Sequence, residues 1–303
     1  VTGGASWNLL TDLEQMWALP FMVNAYRAGT IVAVLAGLIG HYMVIRRQTF
    51  AGHTLSIVGF PGAAGATWLG VSALYGYFGF CIAAAFVIAT TPQRGRRRSE
   101  ESATIGTVQA FALACGFLFV ALYKGFLGGT TALLFGSFLG ITTHQVNVLV
   151  VVAVGVVAVI AVMGRPLLFG TLDPEAAAAS GVPVRLLDIG YLLVLGATVA
   201  AVAQITGVLL VFTLLVLPAA TAQRLTARPA RGLALSIGFA AVTVWVALGV
   251  AYYSPYPIGF WLSTVAFFGY LFAAAMSSKR WRRGQPRQGQ TRHGSIARPA
   301  GAP

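Results

Sequence analysis

The chain has 303 residues, of which 57% are hydrophobic and 9% charged. A soluble domain carries about 25% charged residues, so water is not the main solvent here and the composition is that of a polytopic membrane protein. The net charge of +13 falls in clusters between apolar runs, which ties it to topology against an anionic inner leaflet and argues against a nucleic-acid partner.

In chain order, Thr11-Asp12-Leu13-Glu14 has the form of a capping box between Trp7 and Trp17. It reads either as a short helix at the outer membrane interface or as a frayed tail. The N-terminus lacks a basic n-region, so no cleavable signal peptide is expected. Nine apolar segments then follow, at roughly 21–45, 52–75, 77–91, 103–123, 145–164, 186–203, 207–222, 232–252 and 258–277. The fifth contains Val146 to Met163, in which every residue except Asn147 is aliphatic, Gly or Met, about the length of a membrane-crossing helix. Between the fourth and fifth, Phe126 to Thr143 is apolar but broken by four glycines, which predicts a re-entrant or interfacial stretch.

Of 20 Lys and Arg residues, all but Arg27 and Lys124 fall in five groups: Arg46–Arg47; Arg94 to Arg98; Arg165 and Arg185; Arg224, Arg228 and Arg231; and Lys279 to Arg298. Placing all five in the cytoplasm puts the N-terminus outside and the C-terminus inside. An odd number of spans gives the same result. The expected fold is therefore an all-α transmembrane bundle of about nine spans in the plasma or inner membrane. Its parts are an external interfacial segment over 1–20, a transmembrane domain over 21–277 and a basic, disordered cytoplasmic tail over 278–303. Cys81 and Cys115 lie within apolar runs without CxxC spacing and read as small buried hydrophobes.

The second apolar segment carries the first chemical feature. His53 follows the Arg46–Arg47 pair, and Gly59, Pro61, Gly62 and Gly65 follow His53. Two readings of His53 stand: an imidazole that hydrogen-bonds a neighbouring helix, or a neutral metal ligand suited to zinc, manganese or iron. The Gly/Pro cluster lets a helix bend, unwind or pack closely on its neighbours, and interrupted helices commonly line transport pathways. His41 and His144 lie near segment ends and are expected to be interfacial.

None of the seven acidic residues lies in the middle of a predicted span, which argues against a proton- or sodium-driven carrier. No GxxxxGK[ST] phosphate loop is present, so the chain is not expected to be an enzyme that hydrolyses ATP by that route. Any energy for active transport comes from another chain. Gly170 to Val184 is a compact helix signature: Asp173 as cap, Pro174 at the first position, Glu175 in the first turn, four alanines, Gly181 as C-cap and Pro183 as stop. The predicted helix, Pro174 to Ser180, is far too short to cross a bilayer at about 1.5 Å per residue. It suits either docking into a partner's cleft or linking two spans. Beyond it, Thr206 to Gln223 contains Pro218, which bends or ends a helix.

Three stretches in order, Arg46 to Gly52, Leu172 to Asp188 and Gly207 to Arg224, resemble the integral-membrane permeases of zinc/manganese/iron ABC importers. The resemblance implies a homodimer in the bilayer, bound to two cytoplasmic ATPase subunits that carry the ATP and fed by an extracytoplasmic metal-binding protein. It implies a divalent metal as cargo, with no tightly held cofactor. The family's ATPase-coupling loop maps onto Leu172, Asp173, Pro174, Glu175, Ala176, Ala179 and Gly181. After the Arg pair that family typically reads FxGDxLSHxxLPG, whose Asp and His face the pathway. Here His53 stands in place of that Asp and Ile57 in place of that His. Residues i and i+4 share a helix face, but Ile57 has no lone pair, which leaves His53 with Thr49 or Ser56 as a poorer donor set. The expected function is thus a permease subunit that forms the pathway for a divalent transition metal. The alternatives are a permease for a metal chelate or other small solute, and a membrane carrier that needs no ATPase.

Overall fold

The computed structural model describes residues 17–90, 98–123, 133–136 and 138–284, and side chains within these except at 98–105, 108, 139 and 278–284. The Thr11–Glu14 capping box with Trp7, most of the Arg94–Arg98 cluster and the tail from 285 onward lie outside the described residues.

Every regular element among the described residues is helical: α1 (Pro20–Ile45), α2 (Thr49–Trp68), α3 (Ala73–Thr90), α4 (Arg98–Leu122), a 3-10 turn (Phe138–Gly140), α5 (Thr143–Leu172), α6 (Pro174–Ala179), α7 (Val184–Thr206), α8 (Val208–Leu225), α9 (Pro229–Tyr253) and α10 (Ile258–Gly284). A long helix falls on each of the nine expected segments. Seven of them are long and apolar enough to cross a membrane. The other two are α2, diluted by Thr, Ser, His and Gly, and α4, whose apolar part is Gln109–Leu122.

Prolines start α1, α6 and α9, where a missing N–H costs nothing. Thr142 and Gln145 form a reciprocal capping box at the start of α5. That helix runs on to Leu172, beyond the expected end at 164, because Pro166 removes one hydrogen bond without ending it. At the end of α1 the Arg47 N–H donates to Val44 O at 3.1 Å and the Gln48 N–H to Met43 O at 3.0 Å. This is a Schellman turn whose left-handed position, φ 57°, is held by Arg47 where glycine is usual.

Burial sorts the helices into an inner and an outer set. In the most apolar window of α1, 67% of residues are buried against protein, and in those of α7 and α8 56% and 50%. In α3 and α10 the figure is 17%, so their apolar side chains face outward, as bilayer hydrocarbon allows. Val162 on α5 is 78% exposed. Inside, α1 packs on α5, α7, α8 and α9, while α2 packs between α3, α4, α7 and α8.

Small residues set these contacts. A Cβ at Gly76 on α3 would collide with the carbonyl of Gly62 on α2, and one at Gly40 on α1 with the carbonyl of Leu215 on α8. Such close approach is how helices associate in lipid. Side-chain hydrogen bonds cross the same seams: Tyr191 to Ile39 O at 3.1 Å, Ser236 to Gly37 O at 2.8 Å and the Cys81 thiol to Leu55 O at 3.4 Å.

The described part of the broken apolar stretch forms short turns. Residues 133–135 are helical and Phe138–Gly140 is the 3-10 turn. Gly136 and Gly207, with φ of 78° and 75°, meet backbone to backbone at the corner between α7 and α8. Neither place has room for a side chain.

Replacing Gly76 by Val should force α2 and α3 apart and cost about 1–3 kcal/mol, whereas Gly79→Ala, with open space beside it, should be silent. Thermal unfolding in detergent checks this: equal midpoints for the two variants would contradict the packing described.

Candidate functional site

The sequence nominates two places, one inside the bundle and one at its edge. In the first, His53 lies one turn into α2 on a partly exposed stripe with Thr49 and Ile57. Its ring meets the edge of Phe212 on α8 at 4.7 Å between centroids. The imidazole Nδ1 is buried with no protein partner, and the Ser56 hydroxyl turns away to bond His53 O at 2.7 Å. The hydrogen bond to a neighbouring helix, one of the two expected roles, is therefore not made through Nδ1. Thr54, on the opposite side, donates to Phe50 O and to Gln109 on α4. Among the described residues no three His, Cys, Asp or Glu side chains come together as a metal site. Among the described residues His53 thus belongs to no such cluster, and its imidazole could do no more than touch a passing ion there.

The Gly/Pro cluster beyond His53 does not unwind the helix. α2 is continuous through Pro61, and Gly59, Pro61, Gly62 and Gly65 are all buried. Gly59 faces Tyr77 and Cys81, Gly62 faces Phe80, and Gly65 faces Phe119. Of the expected roles, close packing is the one seen, since the missing side chains let α3 and α4 lie against α2. His41 is 3% exposed and pressed against Gly232 at the start of α9, whereas His144 is exposed.

The second place is α6. Asp173 ends α5 through its N–H to Phe169 O and caps α6 through its carboxylate, which accepts from Ala176 N at 3.0 Å. Glu175 occupies the first turn, where the positive end of the helix favours it. Ser180 is the C-cap, so the helix is one residue shorter than expected. Gly181 follows at φ 79°. The Gly181 N–H donates to Ala178 O at 3.1 Å and the Val182 N–H to Ala177 O at 3.0 Å, a Schellman closure. Ala177 is the one buried residue of the helix, while Leu172, Asp173, Pro174, Glu175, Ala179 and Gly181 are exposed and Ala176 partly so. The result is a rigid knob, closed at both ends by its own hydrogen bonds and resting mainly on its flanking helices α5 and α7.

Arg46 is what the sequence reading missed. Taken there as half of a topology marker, its side chain is only 8% exposed. It forms an ion pair with Asp188 in the first turns of α7 and donates to Thr171 at the end of α5 at 2.9 Å. Its Nε donates to Gln48 at 3.3 Å, and the guanidinium lies 5.0 Å over the Tyr191 ring. A buried guanidinium needs such partners. Arg46 and Asp188 are 142 residues apart, and no local pattern in one sequence pairs them.

Comparison with known proteins places these features in context. The ABC 3 transport family matches residues 18–277. A manganese transport system membrane protein, MntC, of Listeria innocua is 28% identical over 240 residues, covering 79% of this chain and 85% of that protein. A chelated iron transport system membrane protein, YfeC, of Yersinia pestis is 30% identical over 236 residues, covering 78% and 79%. The fold is similar to that of PsaBC from Streptococcus pneumoniae in complex with Fab, with a TM-score of 0.77 and 24% identity, over 88% of this chain and 95% of that one.

Removing the Asp173 carboxylate (Asp173→Ala) should cost about 1 kcal/mol of local helix stability, so amides 176–180 should exchange about fivefold faster. Hydrogen exchange by mass spectrometry measures it, and unchanged rates would mean the helix does not depend on its cap.

Proposed function

Because this chain belongs to the ABC 3 transport family, we propose that it forms the translocation pathway of an importer for a divalent transition metal, driven by ATP hydrolysed on a separate subunit. The chain is a metal ABC-transporter permease, multi-pass in the cell membrane, and its relatives are named for manganese and for chelated iron transport. Manganese or iron is accordingly the proposed cargo. The observation that carries the reading is α6, a short helix capped at both ends, exposed, and seated between the ends of two long ones. A rigid knob of this kind suits docking into a cleft on a soluble partner, and the proposed partner is the ATPase.

The remaining assembly follows from the same reading. Arg165 and Arg185 flank α6, and Arg224, Arg228 and Arg231 mark the α8–α9 turn. By the positive-inside rule these basic groups set α6 in the cytoplasm, with the N-terminus outside and the C-terminus inside. Two copies side by side, each facing an ATPase subunit, would give the pathway a second wall, with an extracytoplasmic metal-binding protein supplying the ion. His53 is the proposed contact for the ion within the pathway. A homodimer would present two such imidazoles, which answers the shortage of donors within one chain.

Two variants test this in proteoliposomes that contain the ATPase subunit. Glu175→Lys, on the exposed face of α6, should release the ATPase and reduce ATP-dependent manganese uptake about tenfold, equivalent to 1.4 kcal/mol. Uptake that persists with no ATP-hydrolysing subunit present would overturn the reading. His53→Ala should leave ATPase binding intact and slow uptake severalfold; an unchanged uptake rate would leave His53 as no more than a packing partner of Phe212.

A further inference from the structure

We propose that Arg46 is a positioning residue that transmits movement of α6 to the α1–α2 corner, and hence to the helix that carries His53. The inference rests on the reading of α6 as the docking helix. Arg46 occupies the C-cap of α1, and three of its nitrogens bond three different elements. Nε reaches Gln48 in the turn that leads into α2, Nη1 reaches Thr171 on α5 and Nη2 reaches Asp188 on α7. Thr171 stands just before the N-cap of α6, and Asp188 lies one turn into the helix that follows it. A single guanidinium therefore ties down both ends of the segment that bears the knob.

The load path is short. α6 itself rests on α5 and α7, so a push on α6 is borne by the ends of those helices. Arg46 grips both of them. On its other side it is continuous with the turn at Arg47 and Gln48 and then with α2, where His53 lies seven positions further along. Tyr191 strengthens the joint: its ring underlies the guanidinium at 5.0 Å and its hydroxyl bonds Ile39 O on α1 at 3.1 Å. The Arg46 side chain is 8% exposed and that of Asp188 46%, so the pair is anchored on the α1 side and open to solvent on the α7 side. An ion pair of that kind holds a fixed geometry and can also be released when its exposed member is drawn away.

The structure thus assigns Arg46 a role that a surface arginine in a topology cluster would not have. Lysine keeps the charge but has no planar fork to span Gln48, Thr171 and Asp188 together. The test uses the full complex with its ATPase in proteoliposomes and reads three quantities: ATPase retained on purification, ATP hydrolysed and manganese ions imported per ATP. Arg46→Lys and Asp188→Asn should both retain the ATPase and hydrolyse ATP within about twofold of the parent. Ions imported per ATP should fall about fivefold in each. The double variant should be no worse than either single one, the non-additivity expected of residues that act as a pair.

Import and hydrolysis falling in proportion, or effects of the two substitutions that simply add, would overturn the proposal. Thermal unfolding of each variant separates lost coupling from lost folding, and a fall in ions per ATP in variants that melt at the parent temperature is the supporting result. Failure of the underlying reading looks different. If Glu175→Lys leaves the ATPase bound, α6 is not the docking helix. If Glu175→Lys releases it while Arg46→Lys imports the parent number of ions per ATP, only the role of Arg46 falls.

Discussion

Lipid chains are as apolar as leucine, so nothing like the aqueous hydrophobic effect draws one helix of this bundle onto another. Association depends on how closely backbones can approach. Gly62 against Gly76, Gly40 against the Leu215 carbonyl, and Gly136 against Gly207 are the places where that approach is closest. The inner helices α1, α2, α7 and α8 follow from these contacts, and the outer ones present Val, Phe and Leu to the hydrocarbon. Polar side chains that cross the seams, such as Tyr191, Ser236 and Cys81, find carbonyl partners, as a medium without water requires.

The two candidate sites obey different rules. At α6 everything needed for local structure is within a few residues: a carboxylate cap, a proline, four alanines and a left-handed glycine. At His53 the chemistry needs groups from elsewhere, and no metal-binding cluster forms among the described residues. A permease has to release its cargo, so a single partly buried imidazole is compatible with transport in a way that a closed metal cage is not. On that helix face this chain carries His53 and Ile57, one neutral donor and no carboxylate.

What the sequence made legible follows the same division between local and distant causes. Segment positions came from hydropathy, and α6 came from its caps, correct to one residue. The course of α5 past Pro166 was not legible, because a proline marks the loss of one hydrogen bond and the rest of the helix decides whether it continues. The Gly/Pro stretch of α2 admitted several structures, and the facing surfaces of α3 and α4 selected one. His41, near a segment end, is buried where Gly232 leaves space for its ring, a contact between residues far apart in the chain. The Arg46–Asp188 pair joins residues 142 apart, and only the folded chain brings them together.

The length of α5 bears on how α6 is presented. Its 30 residues make a rod of about 45 Å, against a hydrocarbon layer of about 30 Å. A rod half as long again as the slab it crosses must lean steeply or protrude. The capping box at Thr142 anchors its far end, and Arg165 and Pro166 stand near the level where the apolar run gives out. The seven residues from Pro166 to Leu172, about two turns, join that level to the small knob. Shortening that segment would leave every side chain of the knob unchanged and still alter how far it stands from the apolar part of α5.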